Sequence, residues 1–237
     1  MIVVLALLGC APTLARMPGP LDRLGRGANE STGDYLARRR GPPEESAVAV
    51  AAGHTAAPSA KARDIVAAAA SFVGASSLNV DGESFRYDCS GFVEASMAKA
   101  GLRWEGSSAM LYEAAGEAGV LHHRHLPRPG DVAFWDNTYD RDDNGQLDDA
   151  VTHSGIVADV ESDGTIDIVH LGSHGVVRIK MNLKHPHDRL SADGMVINDY
   201  LRGRTGSDPW GTQYLSGELW SAFASFWATS APVAERG

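Results

Sequence analysis

The chain has little of several features that would assign it to a common class of protein. Its 237 residues include only two cysteines, which cannot build a disulfide framework or by themselves hold a structural zinc ion. No apolar run approaches the roughly 20 residues of a membrane-spanning helix. The formal net charge of -9 argues against nucleic acid as a partner. With 43% hydrophobic residues, the sequence predicts a globular domain with a substantial core.

The N-terminus predicts an exported lipoprotein. Residues 2–8 form an apolar run with the length of a signal-peptide core, and the run ends in Leu7, Leu8, Gly9 and Cys10. These residues resemble a bacterial lipobox, whose cysteine is lipidated and anchors the protein to a membrane. With Ala11 next in the chain, the resemblance implies an outer-membrane lipoprotein facing the periplasm. No Lys or Arg precedes the run, so a hydrophobic terminus with an incidental cysteine stays open as the alternative.

The composition divides the rest of the chain into a linker and one folded domain. Residues 11–60 are rich in Pro, Gly, Ala, Ser and Arg without an apolar period, which is typical of a disordered tether. Residues 61–237 then form the domain, with a core over about 61–183 and a helical extension after it. The extension is predicted from apolar residues at helical spacing, namely Leu219, Trp220, Phe223, Phe226 and Trp227. A last strand is predicted over 195–201.

One cysteine lies where a helix should begin. After a predicted helix over 61–73 and a polar loop, Asp88 is a good N-cap, and a stripe of apolar residues follows it. Gly101 is a plausible stop for this second helix. Cys89 is therefore expected in the first turn, where unpaired N–H groups and the helix dipole favour a thiolate. Position alone leaves a buried structural cysteine as an equal alternative.

The residues around Cys89 resemble the nucleophile motif of the NlpC family, papain-like cysteine peptidases that cut bacterial cell-wall peptides. The matching residues are Arg86, Tyr87, Asp88, Cys89, Ser90, Gly91, Phe92 and Val93. The family pattern continues with Pro129, Gly130 and Asp131, then with His153 at the start of one strand and His170 on the next. The resemblance implies an α+β papain-like, NlpC-type domain, in which the nucleophile helix packs on a small antiparallel β-sheet.

The residues between the two histidines support this arrangement. Residues 156–160 and 165–169 alternate as strands do, and 161–164 supply the turn between them. In an antiparallel pair, the start of the first strand lies beside the end of the second. His153 and His170 should therefore be neighbours, one acting as the base toward Cys89 while the other orients it.

The resemblance implies a cell-wall hydrolase that needs no cofactor for catalysis and works as a monomer on peptidoglycan. Cys89 would attack an amide in the peptide stem, between D-glutamate and a diamino acid in most of the family. Asp88, Ser90 and the Cys89 N–H would lie at the substrate and oxyanion side. Two alternatives stay open: an N-acetylmuramoyl-L-alanine amidase with the same Cys-His triad, and a catalytically idle, calcium-stabilised wall-binding lipoprotein. The tyrosine that the family often has about twelve residues before the nucleophile is missing, and Tyr87 is the nearest one.

An acidic loop before His153 predicts a structural calcium site. Oxygen-bearing side chains stand at positions 1, 3, 5, 7 and 9 of an EF-hand-like pattern, with Gly145 at position 6. Position 12 is Val151 rather than glutamate, and Asp149 could provide the late carboxylate. A solvated acidic turn is the alternative. The predicted ligands are Asp140, Asp142, Asn144, Gln146, Asp148 and Asp149.

Overall fold

The computed structural model describes residues 58–229. The predicted signal peptide with Cys10, and the predicted linker up to residue 57, lie outside the described residues. The described helices are α1 (Ala60–Ser71), α2 (Cys89–Lys99), α3 (Ser108–Glu117) and α4 (Ser216–Leu219), followed by a 3₁₀ turn at Phe226–Ala228. None of these helices is long and apolar enough to cross a bilayer.

The strands form one large antiparallel sheet and one small hairpin. The hairpin pairs β1 (Leu78–Val80) with β2 (Glu83–Phe85). The sheet has the order β3-β8-β4-β5-β6-β7, and each neighbouring pair is antiparallel. Its strands are β3 (Leu121–His122), β4 (Val132–Trp135), β5 (His153–Val160), β6 (Ile166–Gly172), β7 (Gly175–Met181) and β8 (Trp220–Ala224). The predicted α+β class is confirmed.

The first helix begins and ends for local reasons. The Ser59 hydroxyl accepts a hydrogen bond from the Ala62 N–H at 3.1 Å, which caps one of the free donors of the first turn. Ala62, Ile65 and their neighbours one turn on form the buried face. The chain leaves the helix through Gly74, whose φ of 77° suits glycine, and the Gly74 N–H donates to the Val176 carbonyl of β7.

The second helix carries Cys89 and lies against the sheet. The Asp88 carboxylate caps it by accepting the Gly91 N–H at 2.7 Å, as predicted. The helix ends before Gly101, which has a φ of 76°. Phe92 and Val93 are fully buried where α2 packs on β5 and β6. The predicted nucleophile helix on an antiparallel sheet is therefore confirmed.

The sheet has an apolar core on each face. Phe134 contacts Tyr112 of α3 edge to face, with ring centroids 5.5 Å apart. Because neighbouring strand residues point to opposite faces, Trp135 lies on the other side of the sheet. There it joins a cluster of buried side chains that includes Ile168, Met181 and Phe223. Burial on both faces explains why β4 and β8, whose residues are all buried, show no alternation of apolar and polar residues.

The predicted helix at the C-terminal end of the domain is wrong. Its centre is the strand β8, which inserts between β3 and β4, and all five of its residues are buried. A strand buried on both faces shows a continuous apolar run, and such a run cannot be distinguished from a buried helix by periodicity. The sheet therefore includes a strand from the C-terminal part of the domain, beyond the core boundary near residue 183 that the sequence predicts.

The predicted strand over 195–201 is also absent. In this part of the chain the structure has isolated bridges, between Leu190 and Val196 and between Tyr200 and Leu215. Asn198 stabilises the segment instead, because its amide donates to the carbonyl groups of His185 and Asp188, both at 2.8 Å. Hydrogen bonds to side chains here replace the ladder that a strand would provide.

Candidate active site

The two predicted catalytic histidines are hydrogen-bonded to each other. His153 Nε2 lies 2.7 Å from His170 Nδ1, across the β5–β6 pair. Gly155 of β5 stands opposite His170, and a Cβ at residue 155 would come within 3.0 Å of the His170 Cβ. The glycine therefore leaves room for the second imidazole. His174, in contrast, is exposed in the turn after β6, as the sequence predicts.

Burial keeps both imidazoles neutral. It lowers the pKa of His153 to about 3, with a smaller contribution from His170, and it lowers the pKa of His170 to about 4. Two neutral imidazoles can share one hydrogen bond only if one ring donates and the other accepts. The Nδ1 atom of His153 makes no hydrogen bond to a described residue, so it is the ring nitrogen that remains for chemistry.

This burial predicts a loss of stability in mild acid. Both imidazoles take up protons near pH 6.5 in the unfolded chain but only near pH 3 to 4 when folded. The unfolded state therefore binds more protons below pH 6.5, and the free energy of unfolding falls as the pH drops. The slope approaches about 1.4 kcal/mol per pH unit for each imidazole. Melting temperatures between pH 7.5 and 4.5 measure it.

A double variant, His153→Gln with His170→Gln, should flatten this pH dependence relative to the wild type. His174→Gln is the matched control, because that histidine is exposed, and its melting curves should follow those of the wild type. Equal slopes in the double variant and the wild type would contradict the assignment of neutral, buried imidazoles.

Cys89 is partly exposed at the start of α2, and a hydroxyl contacts its thiol. Cys89 Sγ lies 3.5 Å from the Ser108 Oγ of α3, and that hydroxyl lies 2.9 Å from the Ser154 Oγ of β5. Ser154 directly follows His153 in the strand. Two serines that the sequence analysis missed thus connect the thiol to the histidine strand. The other predicted residues, Asp88 and Ser90, bond to each other at 2.9 Å beside the thiol.

An ion pair between a half-exposed arginine and a buried glutamate fixes the segment before Cys89. Arg86 Nη2 lies 3.1 Å from the Glu94 carboxylate of α2 and also donates to the Gly106 carbonyl at 2.7 Å. The same Glu94 oxygen accepts the Gly106 N–H at 2.5 Å. Burial raises the pKa of Glu94, although Gly106 and Arg86 oppose that effect. The pair joins the approach to Cys89 to the loop that places Ser108 next to the thiol.

The chain returns to His153 through a constrained loop. Val151 has a φ of 49°, which is unfavourable for a β-branched residue, and the Asp136 carboxylate accepts its N–H at 2.6 Å. The hydroxyls of Thr138 and Thr152 lie 2.8 Å apart and close the base of the loop. Such strain persists where surrounding contacts enforce it, often at functional sites. These contacts set the position from which β5 and His153 begin.

Part of the predicted calcium site comes together in this loop. Asp140, Asp142 and Asp149 each have a carboxylate oxygen within 4.8 Å of the others. Asp148 is outside that group, and its carboxylate accepts the side-chain amide of Asn144 at 3.3 Å. The backbone N–H of Gln146 donates to the Asn144 side-chain oxygen. Arg141 adds a positive charge at this place, because its guanidinium lies 3.3 Å from the Asp149 carboxylate.

Two tyrosines bear on the position of the missing family tyrosine, namely Tyr87 beside the motif and Tyr139, which interacts electrostatically with Cys89. The Tyr87 hydroxyl donates to the Ala75 carbonyl at 2.5 Å and is thus committed to the backbone. Tyr139, on the acidic loop, is half-exposed, and burial followed by the charge of Cys89 raises its pKa. No local pattern in the sequence indicates this interaction, because 50 positions separate Tyr139 from Cys89.

Comparison with known families gives this site a class. Residues 80–171 match the CHAP domain, the cysteine- and histidine-dependent amidohydrolase/peptidase. The matched segment contains Cys89, His153 and His170. This segment is thus similar to the CHAP domain, and the similarity supports a cell-wall peptidase or amidase in general. The predicted resemblance to papain-like cell-wall cysteine peptidases is confirmed, with CHAP as the matching family.

One solved structure also aligns with the chain. It is a Staphylococcus aureus protein described as similar to a lipoprotein of the NLP/P60 family. The two sequences are 21% identical, and the TM-score is 0.35. The alignment covers 52% of this chain and 37% of that protein's chain. No curated protein sequence matches the chain.

Proposed function

We propose that the domain is a cysteine endopeptidase that cuts the peptide stem of peptidoglycan, between D-glutamate and the diamino acid. The observation that carries this proposal is the His153–His170 hydrogen bond at 2.7 Å, in a CHAP-type domain whose helix α2 begins at Cys89. A base with a fixed partner and a cysteine in the first turn of a helix are the parts that thiol catalysis needs.

In the proposed first half-reaction, Cys89 Sγ attacks the carbonyl carbon of the scissile amide and His153 Nδ1 takes the thiol proton. For Nδ1 to accept, the ring proton must be on Nε2, from which it is donated to His170 Nδ1. His170 thereby holds the His153 ring and its tautomer, the role of the third member of a triad. The Cys89 N–H, free in the first helical turn, donates to the developing oxyanion.

The remaining steps return the enzyme to its starting state. The imidazolium of His153 gives its proton to the leaving amine, the C–N bond breaks, and a thioester remains on Cys89. Water then loses a proton to His153 and attacks the thioester carbonyl. The thiolate leaves, recovers the proton, and the new carboxyl group of the stem is released.

Mass spectrometry of peptidoglycan digests tests the proposal. The purified chain should release products with a new amino group on the diamino acid, and the Cys89→Ala variant should release none. Products cut between the sugar and L-alanine would instead favour the amidase alternative, which the CHAP match equally allows. No new products from the wild type, with the thiol shown to be reduced, would favour an idle wall-binding protein.

We further propose that the acidic loop binds a structural calcium ion. Support comes from the convergence of Asp140, Asp142 and Asp149, three carboxylates whose mutual repulsion a cation would relieve. Burial raises the pKa of Asp149, and the charges of the neighbouring carboxylates raise it further. Arg141 opposes both effects but does not cancel them. The ion would brace the loop between β4 and β5, and it has no chemical step in the mechanism above.

Removing calcium should therefore lower the melting temperature of the chain. With free calcium at 100 times its dissociation constant, bound ion adds about 2.7 kcal/mol to the free energy of unfolding. EGTA should lower the melting temperature of the wild type but not that of Asp140→Asn, which lacks one carboxylate charge and should bind calcium too weakly to gain stability. A melting curve unchanged by EGTA, together with no calcium in elemental analysis, would rule out the site.

We also propose that Cys10 carries a lipid that anchors the domain in the cell envelope. The Leu7, Leu8, Gly9 and Cys10 pattern supports this proposal. In cells that export the chain, Cys10→Ser should move the protein from the membrane fraction to the soluble fraction. An unchanged distribution would contradict the anchor, whereas Cys89→Ser should leave the distribution as it is.

A further inference from the structure

A chain of two hydroxyls links the nucleophilic thiol to the sheet. Ser108 Oγ lies between Cys89 Sγ at 3.5 Å and Ser154 Oγ at 2.9 Å. The three residues come from three separate elements, α2, α3 and β5. Ser108 is the first residue of α3, so the positive end of that helix dipole lies beside the thiol as well.

Both hydroxyls are buried, so their hydrogen bonds are not replaceable by water. Ser108 is 5% exposed and Ser154 is fully buried. Ser154 has Ser108 as the partner of its side chain among the described residues. A buried hydroxyl without a partner costs free energy, so each serine holds the other in place.

We propose that Ser108 is a positioning residue for the nucleophile, whose hydroxyl stabilises the Cys89 thiolate and is itself oriented by Ser154. The inference rests on the proposed function, because it takes Cys89 as the attacking group. A thiolate has no proton and can only accept, so Ser108 must donate to it. The free lone pair of Ser108 then accepts the Ser154 hydroxyl, and every group in the chain is satisfied.

When Cys89 is protonated, the donor and acceptor of each hydrogen bond in this series can exchange roles. The thiol then donates to Ser108, and Ser108 donates to Ser154. Each hydroxyl needs only to rotate, because no heavy atom has to move between the two senses. The arrangement therefore serves the thiol and the thiolate alike, but its bond to the charged form is the stronger one.

Alkylation of Cys89 by iodoacetamide tests the inference without any peptidoglycan. The full chain is used with Cys10→Ser, which leaves Cys89 as the single thiol. Because the thiolate is the reacting form, Ser108→Ala should slow alkylation at pH 6 by about tenfold, the effect of one hydrogen bond to a charged group. Near pH 10, above the ordinary pKa of a thiol, the two rates should differ less than about twofold.

Three further variants separate a role at the thiol from a general effect on packing. Ser108→Thr keeps the hydroxyl and should restore the rate at pH 6. Ser154→Ala should give a smaller loss than Ser108→Ala, because it removes only the orienting partner. Ser96→Ala is the matched control, since Ser96 is fully buried on α2 but its hydroxyl donates to the Phe92 carbonyl of its own helix.

Superimposable pH profiles for Ser108→Ala and the wild type would overturn the inference. So would equal losses in Ser108→Ala and Ser96→Ala at all pH values, since these would indicate altered packing. Failure of the proposed function is recognised separately, by release of wall peptides from the Cys89→Ala variant or by none from the wild type. Neither of those outcomes affects the alkylation profiles.

Discussion

Replacing His153 with glutamine is expected to lower the rate of peptidoglycan hydrolysis by about 10³-fold, with the fold retained. Glutamine has similar length and can still hydrogen-bond to His170, but it cannot take a proton from Cys89 at neutral pH. Initial rates of stem-peptide release, measured with circular dichroism of the same samples, check this result. His174→Gln, on the exposed turn after β6, should have the wild-type rate.

His170 should respond differently, because it acts through His153. His170→Ala removes the acceptor that holds the His153 Nε2 proton, and a loss of about 10²-fold is expected. His170→Asn provides a side-chain oxygen in its place and should recover a good part of the rate. Equal activity in His170→Ala and His170→Asn would contradict an orienting hydrogen bond, and a His153→Gln rate within a few-fold of wild type would contradict the base.

The sequence was sufficient for the parts of the site that depend on local order. Asp88, Cys89 and Gly91 stand in one helical turn, and the cap that Asp88 forms is local chemistry that a sequence shows directly. The meeting of His153 and His170 followed from two strands and one short turn, because a short hairpin leaves little freedom in register.

Contacts between distant segments could not be predicted in the same way. Ser108 reaches Cys89 because Arg86, Glu94 and Gly106 hold its loop against α2, and no local pattern encodes that contact. The sequence of β8 predicts a helix, because a strand buried on both faces has a continuous apolar run without a period of two. In both cases tertiary packing, rather than local preference, decides the structure.

Substitution of Gly91, the second residue after the nucleophile, is the other change with a large expected effect. Gly91 lies in the first turn of α2, and a Cβ there would overlap the carbonyl oxygen of Arg86. The chain before the helix folds back over this turn, so only glycine leaves it room. Arg86 cannot simply move aside, because its side chain is bonded to Glu94 and to the Gly106 carbonyl. Any shift that relieves the overlap must therefore displace the segment that contains Cys89.

Gly91→Ala is therefore expected to lower the free energy of unfolding by about 3 kcal/mol, the upper end of the usual cost of overpacking, as measured by chemical denaturation. Its hydrolysis rate should fall by about 10²-fold even under conditions where it is folded, because a displacement near 1 Å is enough to misalign a nucleophile. Gly116→Ala is the control: this glycine lies exposed on α3 with no atom within 4 Å of the added carbon. That variant should be as active as the wild type and more stable by about 0.5–1 kcal/mol, since alanine favours a helix. A Gly91→Ala protein as stable and active as Gly116→Ala would show that the overlap is relieved without moving Cys89, and glycine in the motif would then need another explanation.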